Sequence, residues 1–162
     1  MEIDIKEYIN IFIEESSEHI QELDVLLVDL EKNKKDKKIL KKVYRIMHTL
    51  KGISGIVGFN EMSTMLHSAE SCMDMLLNAE LELHAAIIEG LFEISDILKT
   101  TIESLRRGEE PAADFKALGA RFADFIKKSP KTKTRQKQEL PTQFDISAYA
   151  EKIAPYSVSP PV

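Results

Sequence analysis

Tryptophan is absent from the 162 residues, and cysteine occurs once. A lone Cys72 cannot close an internal disulfide, and its methionine and leucine neighbours mark it as a small core residue rather than a reactive thiol. No run approaches the ~18 consecutive apolar residues of a membrane span. The opening MEIDIKEYIN is acidic and amphipathic, without the basic start and apolar stretch of a secretion signal, so a cytoplasmic location is expected. Also missing is a glycine-rich phosphate loop followed by lysine and serine or threonine. The glycines of GISGIVG lie inside a helical pattern, not after a strand, which excludes a self-sufficient nucleotide-hydrolysing enzyme.

What is present is a globular composition, 43% hydrophobic and 30% charged, long enough for one domain and a tail. The net charge is −5; the segment after Lys128 holds five basic and three acidic residues, leaving −7 on the body. Nucleic acid is not an expected partner of such a body, whereas basic protein surfaces are.

Apolar residues recur at steps of three and four, the period of a helix with one buried face. Asp4 with Glu7 resembles a capping box, and Ile3 with Tyr8 a hydrophobic staple, so a first helix should start there. It runs through Ile9, Phe12, Ile20, Leu23, Leu27 and Leu30, with Ser16 as a polar exception, to the lysine-rich break near Lys34. A second helix opens near Asp36 and ends at Gly58; a third starts at Asn60 and buries Met62, Leu66, Ala69, Met73 and Leu76. The fourth covers roughly His84 to Arg107, before Gly108. A shorter fifth follows Pro111, with Phe115, Leu118, Phe122 and Phe125 inward. The expected fold class is all-α: an antiparallel up-down four-helix bundle with an additional C-terminal helix packed on its side. The domain is expected to span 1–128, followed by a basic flexible linker over 129–143 and an unassigned stretch, 144–162, that has the look of the edge of a following domain.

On the second helix the residues Ile39, Leu40, Val43, Ile46, Met47, Leu50, Ile53 and Val57 form one arc, and His48 projects about 170° from its centre. In a hairpin turning about Phe59, facing positions have a constant sum of residue numbers, which sets Glu70 opposite His48 and His67 opposite Lys51. Each helix therefore presents an i, i+3 pair at one level. Such a group suits nucleophilic chemistry by imidazole: a carboxylate accepting from Nδ1–H fixes the tautomer and leaves Nε2 as the nucleophile. Glu70 is placed for that role, Lys51 to neutralise phosphate oxygens, and His67 to link Lys51 to Glu70. Gly52 and Gly55, one and two turns beyond His48, each cost helix stability; their lack of side chains would let a partner approach, and fraying of the helix before its turn is the other reading.

The stretch HTLKGISGIVGFNEM, with His67 and Glu70 after it, resembles the signature H-[ST]-x-K-G-x-[AS]-G-x-x-G of histidine phosphotransfer domains, in particular those that begin chemotaxis histidine kinases of the CheA type. The resemblance covers roughly Met1 to Lys128. It implies that His48 is phosphorylated by the kinase's ATP-binding domain, that Glu70 orients it, and that Lys51 and His67 complete its hydrogen-bond network. It further implies onward transfer to response regulators of the CheY and CheB type, with ATP and Mg2+ supplied by partner domains and no cofactor or metal held here. Ile53 departs from the small residue of many relatives and is expected to affect docking.

Two rival readings stand against this one. A metal-binding bundle would use inward Glu-x-x-His pairs on several helices, whereas here a single reversed His67-x-x-Glu70 occurs. A non-catalytic helical adaptor would explain the bundle but leave the facing polar residues and the glycines without a cause.

Overall fold

A computed structural model describes residues 5–129, and all regular structure in that range is helical. The helices are α1 (Ile5–Lys32), α2 (Lys37–Ile56), α3 (Asn60–Leu77), α4 (Ala85–Arg106) and α5 (Phe115–Lys127). The expected cap and staple at Ile3 and Asp4, most of the linker and the last 19 residues lie outside the described residues.

Local chemistry sets the boundaries. Asp36 caps α2 by accepting from the Lys38 amide at 2.9 Å. At the other end Gly58 adopts φ +86°, and the amides of Phe59 and Gly58 bond back to the carbonyls of Ser54 and Gly55. This paired closure of a helix end needs a residue in the left-handed region, which glycine enters without steric penalty. Gly108 ends α4 in the same way, and Ala79, at φ 55°, does so for α3. The fifth helix begins at Phe115 rather than directly after Pro111, because Asp114 supplies the cap, accepting from the Ala117 amide at 3.0 Å.

The core runs the length of the bundle, from Phe12 and Leu27 on α1 through Met47 and Leu50 on α2 to Leu66 and Met73 on α3 and Leu91 and Ile94 on α4. Cys72 is fully buried in it, and loss of hydration pushes its thiol up to about 12. The packing order departs from a plain four-membered ring. Helix α1 packs on α2 and α4, and α2 on α3, but α5 packs extensively on α3 and also touches α4. The fifth helix is thus part of the wall, seated along the side where α3 and α4 would meet. Two glycines allow it to come close: a Cβ on Gly119 would stand 3.2 Å from the Met65 Cα on α3, and one on Gly90 would stand 3.0 Å from the Phe122 ring. Ser129, expected to begin the linker, is buried and donates to the Glu80 carbonyl at 2.7 Å, so the domain reaches one residue further than its periodicity indicates.

Ser16, the polar exception in the α1 stripe, is buried, and its hydroxyl finds no hydrogen-bond partner among the described residues. A buried hydroxyl without a partner costs ~1–3 kcal/mol. Ser16→Ala is therefore expected to stabilise the domain by about 1 kcal/mol, read from urea unfolding followed by circular dichroism; a destabilised variant would mean that the hydroxyl is satisfied in solution.

Candidate phosphoacceptor site

The α2–α3 hairpin positions the site. The closure at Gly58 turns the chain within three residues, and Ser63 locks the two helices by donating to the Lys51 carbonyl at 3.0 Å. Phe59 at the turn meets the Phe12 ring edge-on at 5.2 Å, tying the hairpin to α1. With the turn fixed, the constant-sum register brings His48 and Glu70 together: His48 Nδ1 lies 2.9 Å from Glu70 Oε1. The His48 side chain keeps 38% of its surface exposed, whereas Glu70 keeps 4%.

Lys51 reaches the same carboxylate, its Nζ 2.6 Å from Oε2. At that distance the charge attraction does not depend on a linear N–H···O alignment. Burial would by itself raise the Glu70 carboxyl, but the contacts from Lys51 and His48 outweigh it and hold the group below the usual 4.5. An ionised carboxylate only accepts hydrogen bonds, so the proton of the 2.9 Å contact belongs to Nδ1, and in the neutral ring Nε2 carries the lone pair.

His67 does not take the place expected for it. It is exposed and makes no hydrogen bond or ion pair with His48, Lys51 or Glu70. The reason lies in α3: at 100° per residue His67 points about 160° from Ala69, the middle of the buried arc, while Glu70 falls at its edge, about 100° away. The lysine stem spans a helical turn and contacts Glu70 directly, so no linking histidine is required. Gly52, expected to open the surface to a partner, is buried; Gly55 is exposed. Ile53 is buried in the core and so offers docking partners no surface of its own.

Tyr44 is a further member of the site. One turn before His48, its ring lies nearly parallel to the imidazole, 12° between planes at 6.3 Å between centroids. Burial raises its phenol, reinforced by the negative charges of Glu70 and Asp74. The signal that would have found it is the same register rule: the numbers 44 and 74 have the same sum as 48 and 70, which sets Tyr44 opposite Asp74 one turn further from the hairpin.

Residues 7–108 match the Hpt domain family. The chain is 31% identical over 120 residues to the chemotaxis protein CheA of Bacillus subtilis, an alignment covering 74% of this chain and 18% of that protein. It thus spans about a fifth of the length of that relative. Among solved structures, the CheA phosphotransferase domain from Thermotoga maritima is 30% identical with a TM-score of 0.60, covering 62% of this chain and 95% of that one. A solution structure of the histidine phosphotransfer domain of CheA is 25% identical with a TM-score of 0.67, covering 74% and 92%. A partly exposed imidazole oriented by a buried, cation-held carboxylate on the second and third helices of this bundle, together with these matches, places the chain in the family of histidine phosphotransfer (Hpt) domains.

Proposed function

We propose that this domain is the phosphoacceptor and relay module of a longer chemotaxis histidine kinase of the CheA type, working in the cytoplasm, with His48 as the residue that carries the phosphoryl group. The observation that supports this reading most is the Nδ1 contact with Glu70, since it selects the ring nitrogen that can attack. Nε2 donates its lone pair to the γ-phosphorus of ATP held by the kinase's ATP-binding domain; the bond from that phosphorus to the bridging oxygen breaks and ADP leaves with the electron pair. Nδ1 keeps its proton, and the positive charge developing on the ring is met by Glu70. In the second step an aspartate carboxylate of a response regulator, of the CheY or CheB type, attacks phosphorus. The phosphorus–Nε2 bond then breaks and its electron pair returns to the ring. Mg2+ accompanies the nucleotide in the first step and the receiving aspartate in the second, so neither ATP nor metal is a resident of this domain.

Lys51 is a positioning residue in this scheme: it holds Glu70 ionised and fixes which oxygen faces His48. Tyr44 lies beside the imidazole with its ring nearly parallel to it. We assign His67 no direct part in orienting the ring. A passive adaptor would have no use for a carboxylate buried between a lysine and a half-exposed histidine, a costly arrangement unless both partners stay in place.

Incubation with the ATP-loaded core of a chemotaxis kinase, read by intact mass, tests the assignment. Wild type should gain one acid-labile phosphate and His48→Gln none, while Glu70→Gln should label roughly 100-fold more slowly, within the range contributed by a positioned acid–base group. Equal labelling of His48→Gln would remove His48 from the scheme.

A second outcome concerns Glu70 itself. Its carboxyl is held below its ordinary value, so the stability it contributes is present above pH 4.5 and is lost as pH falls through the lower folded value. Carboxyl carbon NMR should place its midpoint below 4.5 in wild type and shift it upward in Lys51→Met, where burial is no longer outweighed. A midpoint that does not move in Lys51→Met would show that Lys51 does not hold the charge.

A further inference from the structure

The face of α2 that presents His48 also carries a line of cations. Residues 32–45 hold eight of the chain's 22 lysines and arginines against one acid, Asp36, so this short segment is +7 and the remaining chain −12. All eight are exposed, and none forms an ion pair with a described residue. At 100° per residue, Lys37 and Lys41 fall within about 20° of His48 around the helix and Arg45 within about 60°. Along the axis they lie roughly 16, 10 and 4.5 Å before it at 1.5 Å per residue. Lys37 and Lys38 occupy the first turn, where the helix dipole disfavours positive charge, and no acidic residue stands in that turn. The local rule is broken in the direction that builds a positive track ending at the histidine.

We propose that this track docks the acidic surface of the receiving protein, a partner whose acceptor aspartate sits among the carboxylates that hold its magnesium. The inference rests on the reading that His48 hands on a phosphoryl group. A dianionic phosphoimidazole and a carboxylate-lined pocket repel each other on approach. Arg45 and Lys41 stand within about one screening length of the phosphoryl, about 8 Å at physiological salt, and oppose that repulsion, while Lys37 extends the track towards the partner. Magnesium sites are built from carboxylates, which supplies the complementary charge. A long polyanion such as duplex DNA fits less well, because the chain outside the track carries −12. The acidic overall balance, which favours basic partners, therefore misdescribes the one face where transfer occurs.

The test uses the full chain, loaded with phosphate by the ATP-charged kinase core, and follows transfer to a receiver-domain response regulator with Mg2+ between 50 mM and 1 M NaCl. Lys37→Glu/Lys41→Glu/Arg45→Glu should lower kcat/KM for transfer at least about 10-fold at 50 mM salt. The difference should vanish near 1 M, where screening falls to about 3 Å. The thermal midpoint should not fall, since a glutamate suits the first turn of α2 better than Lys37 does. Transfer equal to wild type at every salt, or a deficit that persists at 1 M, would overturn the proposal. So would a deficit confined to the loading step, which would assign the track to the nucleotide-bearing donor. His48→Gln run in parallel separates the two layers: equal loading of that variant overturns both readings, whereas salt-independent transfer from a normally loaded wild type overturns the docking track alone.

Discussion

A carboxylate almost wholly removed from water must either take up a proton or be met by cations, and in this bundle Glu70 is met by Lys51 and by the Nδ1–H of His48. The rest of the site follows from that requirement. Because Glu70 stays ionised, the histidine tautomer is set; because the tautomer is set, the nitrogen bearing the lone pair is the distal one. The lysine acts at one remove, on the carboxylate, and the imidazole answers to both. Meeting this requirement needs α2 and α3 in one register, and that register is set by the three-residue turn closed at Gly58, with Ser63 bonded to the Lys51 carbonyl.

The framework divides labour between its two sides. On one side α5 packs on α3 and reaches α4, brought close by Gly119 and Gly90, so that part of the bundle is sealed by apolar contact. Between α1 and α4 the joint is partly polar: Asp24 accepts from Ser95 and pairs with Lys99. The α2–α3 face is left for polar chemistry, with Tyr44 and Asp74 one turn from the His48–Glu70 contact. A rigid helical platform would suit the proposed relay, in which one group meets a donor and then an acceptor, since little conformational freedom is left to lose at each encounter.

Charge is distributed as unevenly as polarity. An acidic chain concentrates eight of its 22 lysines and arginines in residues 32–45, across the start of α2, and the consequence lies in approach rates rather than in the fold. Average composition hides this, because a net value of −5 is the difference between a strongly positive strip and a more strongly negative remainder.

The three-and-four spacing of apolar residues, the helix start near Asp36 and the stops at Gly58 and Gly108 were legible in the amino-acid order because each is a local property of the backbone. His48 opposite Glu70 was legible too, since a short hairpin turns a sum of residue numbers into a height. The same arithmetic carries only height, not direction around the helix, and there it misplaced His67, which points away from the core, and passed over Tyr44, which its own rule pairs with Asp74. The burial of Gly52, the place of α5 along α3 and α4, and the direct reach of Lys51 to Glu70 were decided by tertiary packing. Each depends on the distance between surfaces far apart in the chain, and the order of residues along a helix does not contain that distance.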